Sequence, residues 1–430
     1  MLATMLVGLL CTGAVSAQPA PSPDTPDTVE VEPYRSERGL GEHLLALPST
    51  VLHYATRPLG AAVRWAEREG YLDREEGLFW SEDRRIGIFP LVGVGGPSRF
   101  SVGLAVRNKQ LLGTEREADL RFRYANRDNF RTSFFFSNPM APLGESGFLD
   151  VDLGYETDSR EPLYLGRDGA DLNRRTSYRR ERAHALVDVG MEPNPRFGWN
   201  AALGYERVET GQGDGEKDEP LPGGAVLAGR GATELVTGQA SVLWNATQSL
   251  PARASVGPLL YLRYSYTDAF DELFRYHFGR AEVQQYVPIT FLKLHRRLAL
   301  RARLDKYFPA GDDATVPFYR QATLGDRLGL RGARRHRFRD EGLVLGTAEY
   351  RYPIWDTWDA LLFVDGGQTF GDFNEINATD WQWSYGVGVR LYSRSGVSLR
   401  LDLAFTPDNR RIYAEAEPNF LLSPRRRDLR

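Results

Sequence analysis

Cysteine is all but missing from this 430-residue chain: its single residue, Cys11, falls inside an apolar N-terminal run. With that run read as a leader, disulfides and thiolate metal sites are excluded from the mature protein. Histidine is scarce as well, six residues with none at metal-ligand spacing. Charge of one sign is not in excess, because 54 Lys+Arg stand against 57 Asp+Glu for a net −3. A general polyanion binder carries a clear basic surplus, so nucleic acid is not an expected partner. After residue 17 no run of about 18 apolar residues occurs, which rules out a membrane-spanning helix. G-x-S-x-G, a Gly-rich phosphate loop and H-E-x-x-H are all lacking, so neither catalytic residues, a metal site nor a cofactor is expected, and the chain does not read as an enzyme.

What is present favours strands and turns: 43 glycines, 20 tyrosines and 22 phenylalanines. Residues 1–17 read as a signal peptide, with an apolar stretch Leu6–Val15 and the small-residue cleavage pattern Val15-Ser16-Ala17. Residues 18–38 have linker composition. Within 39–84, Leu52, Ala55, Leu59, Ala62, Val63 and Ala66 recur at helical spacing, with Pro48 suited to a first turn and Pro58 to a break. That predicts one or two short amphipathic helices, which either pack against or plug the rest of the protein, or lie on a lipid surface in the periplasm.

From about residue 85 the period becomes two. "ADLRFRY" sets Leu120, Phe122 and Tyr124 against Asp119, Arg121 and Arg123. "RLALRARLD" opposes Leu298, Leu300, Ala302 and Leu304 to Arg297, Arg301, Arg303 and Asp305, and "VSLRLDLAF" repeats the pattern around Arg400 and Asp402. One face is purely apolar while the other carries full charges in mid-strand. A soluble sandwich has no use for so many strands of this length, whereas a transmembrane barrel puts apolar residues toward lipid and charge toward a watery lumen. Carboxylate pairs such as Asp150 and Asp152 then read as lumen charge. Strand candidates begin near residues 85, 100, 117, 130, 148, 178, 197, 232, 254, 274, 294, 342, 358, 381, 397 and 411. About sixteen is an even number, as bacterial barrels require. The long connections 157–177, 211–231, 310–341 and 371–380 then fall on one side, and "EPNPR", "IWDTW" and "RSG" on the other. The expected fold is an all-β transmembrane antiparallel barrel over 85–422, with a basic tail at 423–430.

The connection 310–341 holds a crowded cationic stretch, "GLRGARRHRFRDEG", with five arginines and a histidine in fourteen residues. With the following "AEYRYP" and "FVDGG" it resembles the C-terminal region of the BamA/TamA-type outer-membrane barrel superfamily (the bacterial surface antigen type). In that family an Arg-Gly loop folds back into the lumen, and acidic residues stand on the next two strands. The resemblance implies that Arg331-Gly332, Glu349 and Asp365 form a structural latch for the loop, with Asp402 on a matching penultimate strand. Ala333 departs from the pattern, which has an aromatic after Arg-Gly. Phe363 shares the inward face with Asp365, an awkward place for an aromatic. The remaining cations, Arg334, Arg335, Arg337 and Arg339, are expected to meet acidic lumen residues or lipopolysaccharide phosphates at the outer rim, or to form a solvated loop face. Residues 18–84 show no convincing β-α-α-β-β pattern, which resembles the POTRA-less branch of the superfamily. The implied protein is a monomeric barrel in the bacterial outer membrane, in contact with its lipids and lipopolysaccharide. It would act in insertion or transport of client proteins or lipids; the alternative is a passive, porin-like channel without clients.

Overall fold

The structure is a computed structural model and describes residues 81–415, leaving aside 82, 84, 95–99, 112–113, 127–128, 145, 165–174, 195, 216–219, 224–226, 248–255, 271–272, 290–295, 356–357 and 393–397. The expected signal peptide, linker, amphipathic helices and basic tail lie outside the described residues.

Four short strands open the sheet: β1 (Ile86–Val94), β2 (Phe100–Asn108), β3 (Glu117–Asn126) and β4 (Asn129–Pro139). Taller ones follow: β5 (Gly147–Tyr164), β6 (Arg175–Asn194), β7 (Phe197–Gln212), β8 (Gly231–Asn245), β9 (Gly257–Ala269), β10 (Arg275–Ile289) and β11 (Arg296–Pro309). Two three-residue strands, β12 (Ala322–Leu324) and β13 (Phe338–Asp340), lie in the next connection and pair with each other. The sheet then resumes with β14 (Gly342–Trp355), β15 (Trp358–Phe370), β16 (Gln382–Tyr392), β17 (Ser398–Thr406) and β18 (Asn409–Glu415). The sixteen strands other than β12 and β13 form one antiparallel sheet in sequence order, with β11 joining β14 across the inserted loop. All sixteen start within three residues of the positions expected from the period of two.

One expectation needs correction. The connection placed at 157–177 is largely strand, because β5 runs on to Tyr164 and β6 begins at Arg175. A bulge between Asp158 and Glu161 shifts the register there. An extra residue in one strand breaks the in–out alternation, so the period of two fades where the hairpin continues.

Burial runs opposite to that of a soluble protein. Leu203 is 62% exposed and Leu120 50%, while Asp119 and Asp305 are 2% exposed and Glu282 is 1% exposed. The inward face is an array of ion pairs within strands and between neighbouring ones. Asp119 lies between Arg107 (2.9 Å) and Arg121 (2.8 Å), Glu282 meets Arg301 at 2.6 Å, and Asp305 meets Arg280 (2.9 Å) and Arg303 (2.5 Å). A one-residue slip would turn every such charge outward, which locks the register. Tryptophans mark the two rims. Trp381 and Trp383 pack at 5.6 Å between ring centroids at the long-loop end, and Trp358 clusters with Tyr352 and Ile354 at the other.

The sheet wraps into a barrel around the 310–341 loop. Arg320 reaches Glu206 on β7, Arg335 reaches Glu161 on β5, and the backbone of Gly332 meets Asn409 on β18. Only a curved sheet brings strands so far apart in its order onto one segment. No described helix is long and apolar enough to cross a membrane, so the crossing falls to strands.

The outward face predicts a distinct mutational signature. Leu203→Arg should destabilise the barrel by about 2–4 kcal/mol, whereas Leu203→Phe should be tolerated, because lipid accepts a larger apolar side chain and rejects a charge. Urea unfolding midpoints in liposomes test this. Equal losses for both variants would place Leu203 in a packed protein core instead.

Candidate functional site

The loop between β11 and β14 behaves as a small folded unit. Its β12–β13 hairpin carries Ala322, Leu324, Leu330, Ala333 and Phe338 into a buried cluster with Leu343 and Leu345 of β14. Ala333, the residue that departs from the family pattern, is fully buried in that cluster. A larger side chain has no space there, so the small residue suits the local packing. Tight turns close the tip. Gly325 has φ 100° and places its Cα against the Arg334 carbonyl, while His336 adopts φ 54°. The His336 Nδ1 lies 2.9 Å from the Thr323 hydroxyl, which returns that strained residue to the hairpin.

This tip presents Arg331 to the barrel wall. The guanidinium donates from Nε (2.9 Å) and Nη2 (2.7 Å) to the two carboxylate oxygens of Asp365, a two-pronged pairing. Its Nη1 donates to Glu349 at 2.7 Å and more weakly to Asp402 at 3.4 Å. The backbone N–H of Arg331 adds a long bond to Asp365, 3.3 Å. Arg331, Glu349 and Asp365 are each 1% exposed or less. Burial alone would lower the Arg331 pKa, yet the surrounding carboxylates of Asp365 and Glu349 outweigh it and hold it above the ordinary arginine value.

Each carboxylate is itself held. Asp365 accepts from Thr347 Oγ1 (3.1 Å) and Ser384 Oγ (3.0 Å). Glu349 accepts from Arg351 at 2.9 and 2.5 Å. Asp402 accepts from Arg390 at 2.5 Å and Arg400 at 2.7 Å. Three carboxylates and four guanidiniums thus share one buried cluster across β14, β15, β16 and β17. Phe363 completes it: the Arg331 Cζ lies 3.4 Å from the centre of that ring. An aromatic on the inward face is therefore the platform on which the cation rests.

Two glycines make room. A Cβ on Gly332 would fall 2.5 Å from the Phe405 carbonyl carbon, so only glycine lets the loop tip lie flat on the β17 backbone. Its own carbonyl then accepts from Asn409 Nδ2 at 2.9 Å. On β16, a Cβ on Gly386 would fall 2.5 Å from the Phe363 ring.

The structure brings together Arg331, Gly332, Glu349 and Asp365, the four residues of the expected latch, and adds Thr347, Arg351, Phe363, Ser384, Arg390, Arg400 and Asp402. The period of two places Thr347, Arg351, Arg400 and Asp402 on the charged face, but it does not say that they meet. The other cations scatter. Arg335 lies 3.2 Å from Glu161, where His336 Nε2 also approaches at 2.9 Å. Arg337 meets Asp408 at 2.5 Å, and Arg339 donates to the Phe318 carbonyl. The Arg334 side chain stands apart from the latch and lines a cavity beside β18. Among the described residues no group of three or more histidines or acids is placed to hold a metal.

Apolar residues outside, ion pairs inside and a long loop pinned in the lumen define an outer-membrane β-barrel with an inserted loop. Residues 110–422 match the Omp85 superfamily domain, and the chain belongs to that superfamily, whose members BamA and CdiB are bacterial outer-membrane proteins. Its fold is similar to that of BamA from Haemophilus ducreyi lacking POTRA domains 1-3, with TM-score 0.57 and 15% identity over 77% of this chain and 69% of that one. It is similar also to CdiB from Escherichia coli, with TM-score 0.53 and 12% identity over 76% of this chain. The chain spans 61% of the length of that CdiB. No curated protein sequence matches it.

Removing the Arg331 side chain leaves buried carboxylates without their partner, so Arg331→Ala should cost about 3–5 kcal/mol. Arg331→Lys should restore only part, because a point charge cannot span Asp365 and Glu349 as a fork does. Phe363→Leu should cost about 1–2 kcal/mol from the lost cation–π contact. The temperature at which the compact, heat-modifiable gel band disappears reports all three. Wild-type behaviour throughout would show that the cluster does not secure the loop.

Proposed function

We propose that this barrel acts in the insertion or transport of protein or lipid at the outer membrane, with the 310–341 loop as an internal strut latched by Arg331, Gly332, Glu349 and Asp365. The observation that carries the reading is the seating of the loop. Its tip is bound to β14, β15 and β17 through Arg331, in a charge cluster that β16 completes through Ser384 and Arg390, beside β18, the last strand of the sheet. A loop that only narrowed a pore has no need of a seven-membered buried charge cluster shared by four strands. A strut does: it keeps one side of the barrel rigid, so that movement needed to admit a client concentrates at the terminal strands.

The charged lumen face is a feature that a porin-like channel shares, and two measurements separate the readings. Purified protein in planar bilayers should conduct little, and a variant lacking the loop hairpin 322–340 should conduct more. Removing the gene from its host should lower the abundance of other outer-membrane proteins or of outer-membrane lipids. A large steady pore in the wild-type protein, together with an unchanged envelope in the deletion strain, would replace this function with passive conduction.

A further inference from the structure

A second cluster of arginines lies apart from the latch, on the other side of the loop tip. Arg334 and Arg335 of the tip, Arg175 at the start of β6, and Arg410 and Arg411 of β18 surround one cavity of about 460 Å³. No acidic side chain lines it among the described residues. Arg335 is committed to Glu161 at 3.2 Å. The guanidinium groups of Arg334, Arg410 and Arg411 make no hydrogen bond or ion pair among the described residues. Many arginines of the inward face are instead matched by carboxylates at 2.5–3 Å.

The location is equally informative. Four consecutive residues, Asn409–Ile412, line the cavity. Side chains alternate across a strand, so a volume touching all four lies along the strand's edge and not on one face. Among the described residues β18 pairs only with β17, and it is the last strand of the sheet. The cavity therefore fills the space between that edge, the loop tip and the tall β5–β6 hairpin, at the end of the barrel that carries the long loops.

We infer that this cavity is a binding site for a phosphate-bearing group. Guanidiniums gathered around one space repel one another unless an anion lies between them. Arg334 and Arg411, the latter on the inward face of β18, have no carboxylate among the described residues to offset this. A carboxylate brings one charge and two oxygens. A phosphate or pyrophosphate brings more charge and enough acceptor oxygens to take several arginine forks at once. The volume lies within the range of small-molecule sites. Ile412, 78% exposed at the cavity wall, offers an apolar margin beside the charge. Two sources share this chemistry, the phosphorylated headgroup of an outer-leaflet glycolipid and free inorganic phosphate species. The bound group would bridge the loop tip to the last strand, a tie that the Arg331 cluster does not make.

The test uses the full-length protein. Sodium pyrophosphate is titrated calorimetrically into protein held in zwitterionic lipid nanodiscs. In a separate arm, lipopolysaccharide and its dephosphorylated form are presented to detergent-solubilised protein. The triple variant R334Q/R410Q/R411Q is compared with wild type and with R196Q, an exposed arginine at the opposite end of the barrel, and a compact unheated gel band confirms that each variant is folded. Binding should weaken at least tenfold in the triple variant, stay unchanged in R196Q, and decline with added salt. Response to pyrophosphate alone assigns the site to soluble phosphate, response to intact lipopolysaccharide alone assigns it to the lipid headgroup, and response to both assigns it to the phosphate group itself. The inference is overturned if wild type binds neither probe, if the triple variant binds as wild type does, or if dephosphorylated lipopolysaccharide binds equally well.

Discussion

An arginine fully enclosed by protein cannot be tolerated alone, and the C-terminal side of this barrel is arranged around that requirement. Desolvating a guanidinium costs several kcal/mol, which opposed charge and saturated hydrogen bonding must offset. Arg331 meets the demand with a two-pronged bond to Asp365, a bond to Glu349 and an aromatic floor in Phe363. The carboxylates are then too many for one cation, so Arg351, Arg390 and Arg400 are drawn in. Each added group sits on another strand, and the cluster grows until it spans β14 to β17. Loop position, strand register and the small residues at Gly332 and Gly386 all follow from keeping that one cation satisfied.

The wider sheet obeys the same constraint in reverse. Lipid takes no charge and water is confined to the interior, so polar groups must satisfy one another across the lumen face or against the inserted loop. Arg320 crosses from the loop to Glu206, Arg301 donates to the Leu328 carbonyl, and Arg400 donates to the Arg327 carbonyl. The loop thereby serves as a partner surface for strands that have none opposite them. The loop also brings apolar side chains inside the barrel, in the cluster formed by Leu324, Leu330, Ala333, Phe338, Leu343 and Leu345.

Much of this was legible in the sequence because alternation is a strict geometric code. Leu120, Phe122 and Tyr124 against Asp119, Arg121 and Arg123 leave one pleated answer, and the strand number and the side of the long loops follow by counting. Pairing of Arg331 with Glu349 and Asp365 was legible only through family resemblance, since no spacing rule relates a loop residue to a strand 18 or 34 positions on. What stayed hidden is what depends on three-dimensional closure. Phe363 reads as a misfit when only water is imagined inside, and becomes a platform once a cation lies 3.4 Å above it. The hairpin extension of β5 and β6 was lost to the bulge at Asp158–Glu161, which erases the period locally. Arg334, Arg410 and Arg411 look like ordinary solvated charge until the tip and the last strand are placed together.

The loop tip thus stands between two arginine clusters of opposite completeness. Toward β14–β17 every cation has its carboxylate, the contacts are directional, and the fork geometry fixes the tip to within fractions of an ångström. Toward the edge of β18 the tie is slight: one amide bond from Asn409 to the Gly332 carbonyl and the Arg337–Asp408 pair near the surface. Apolar burial under the hairpin is strong but non-directional and would tolerate small sliding. The apolar cluster therefore packs the loop against β14, the Arg331 cluster joins its tip to β14, β15 and β17, and among the described residues a side-chain amide of Asn409 joins it to β18.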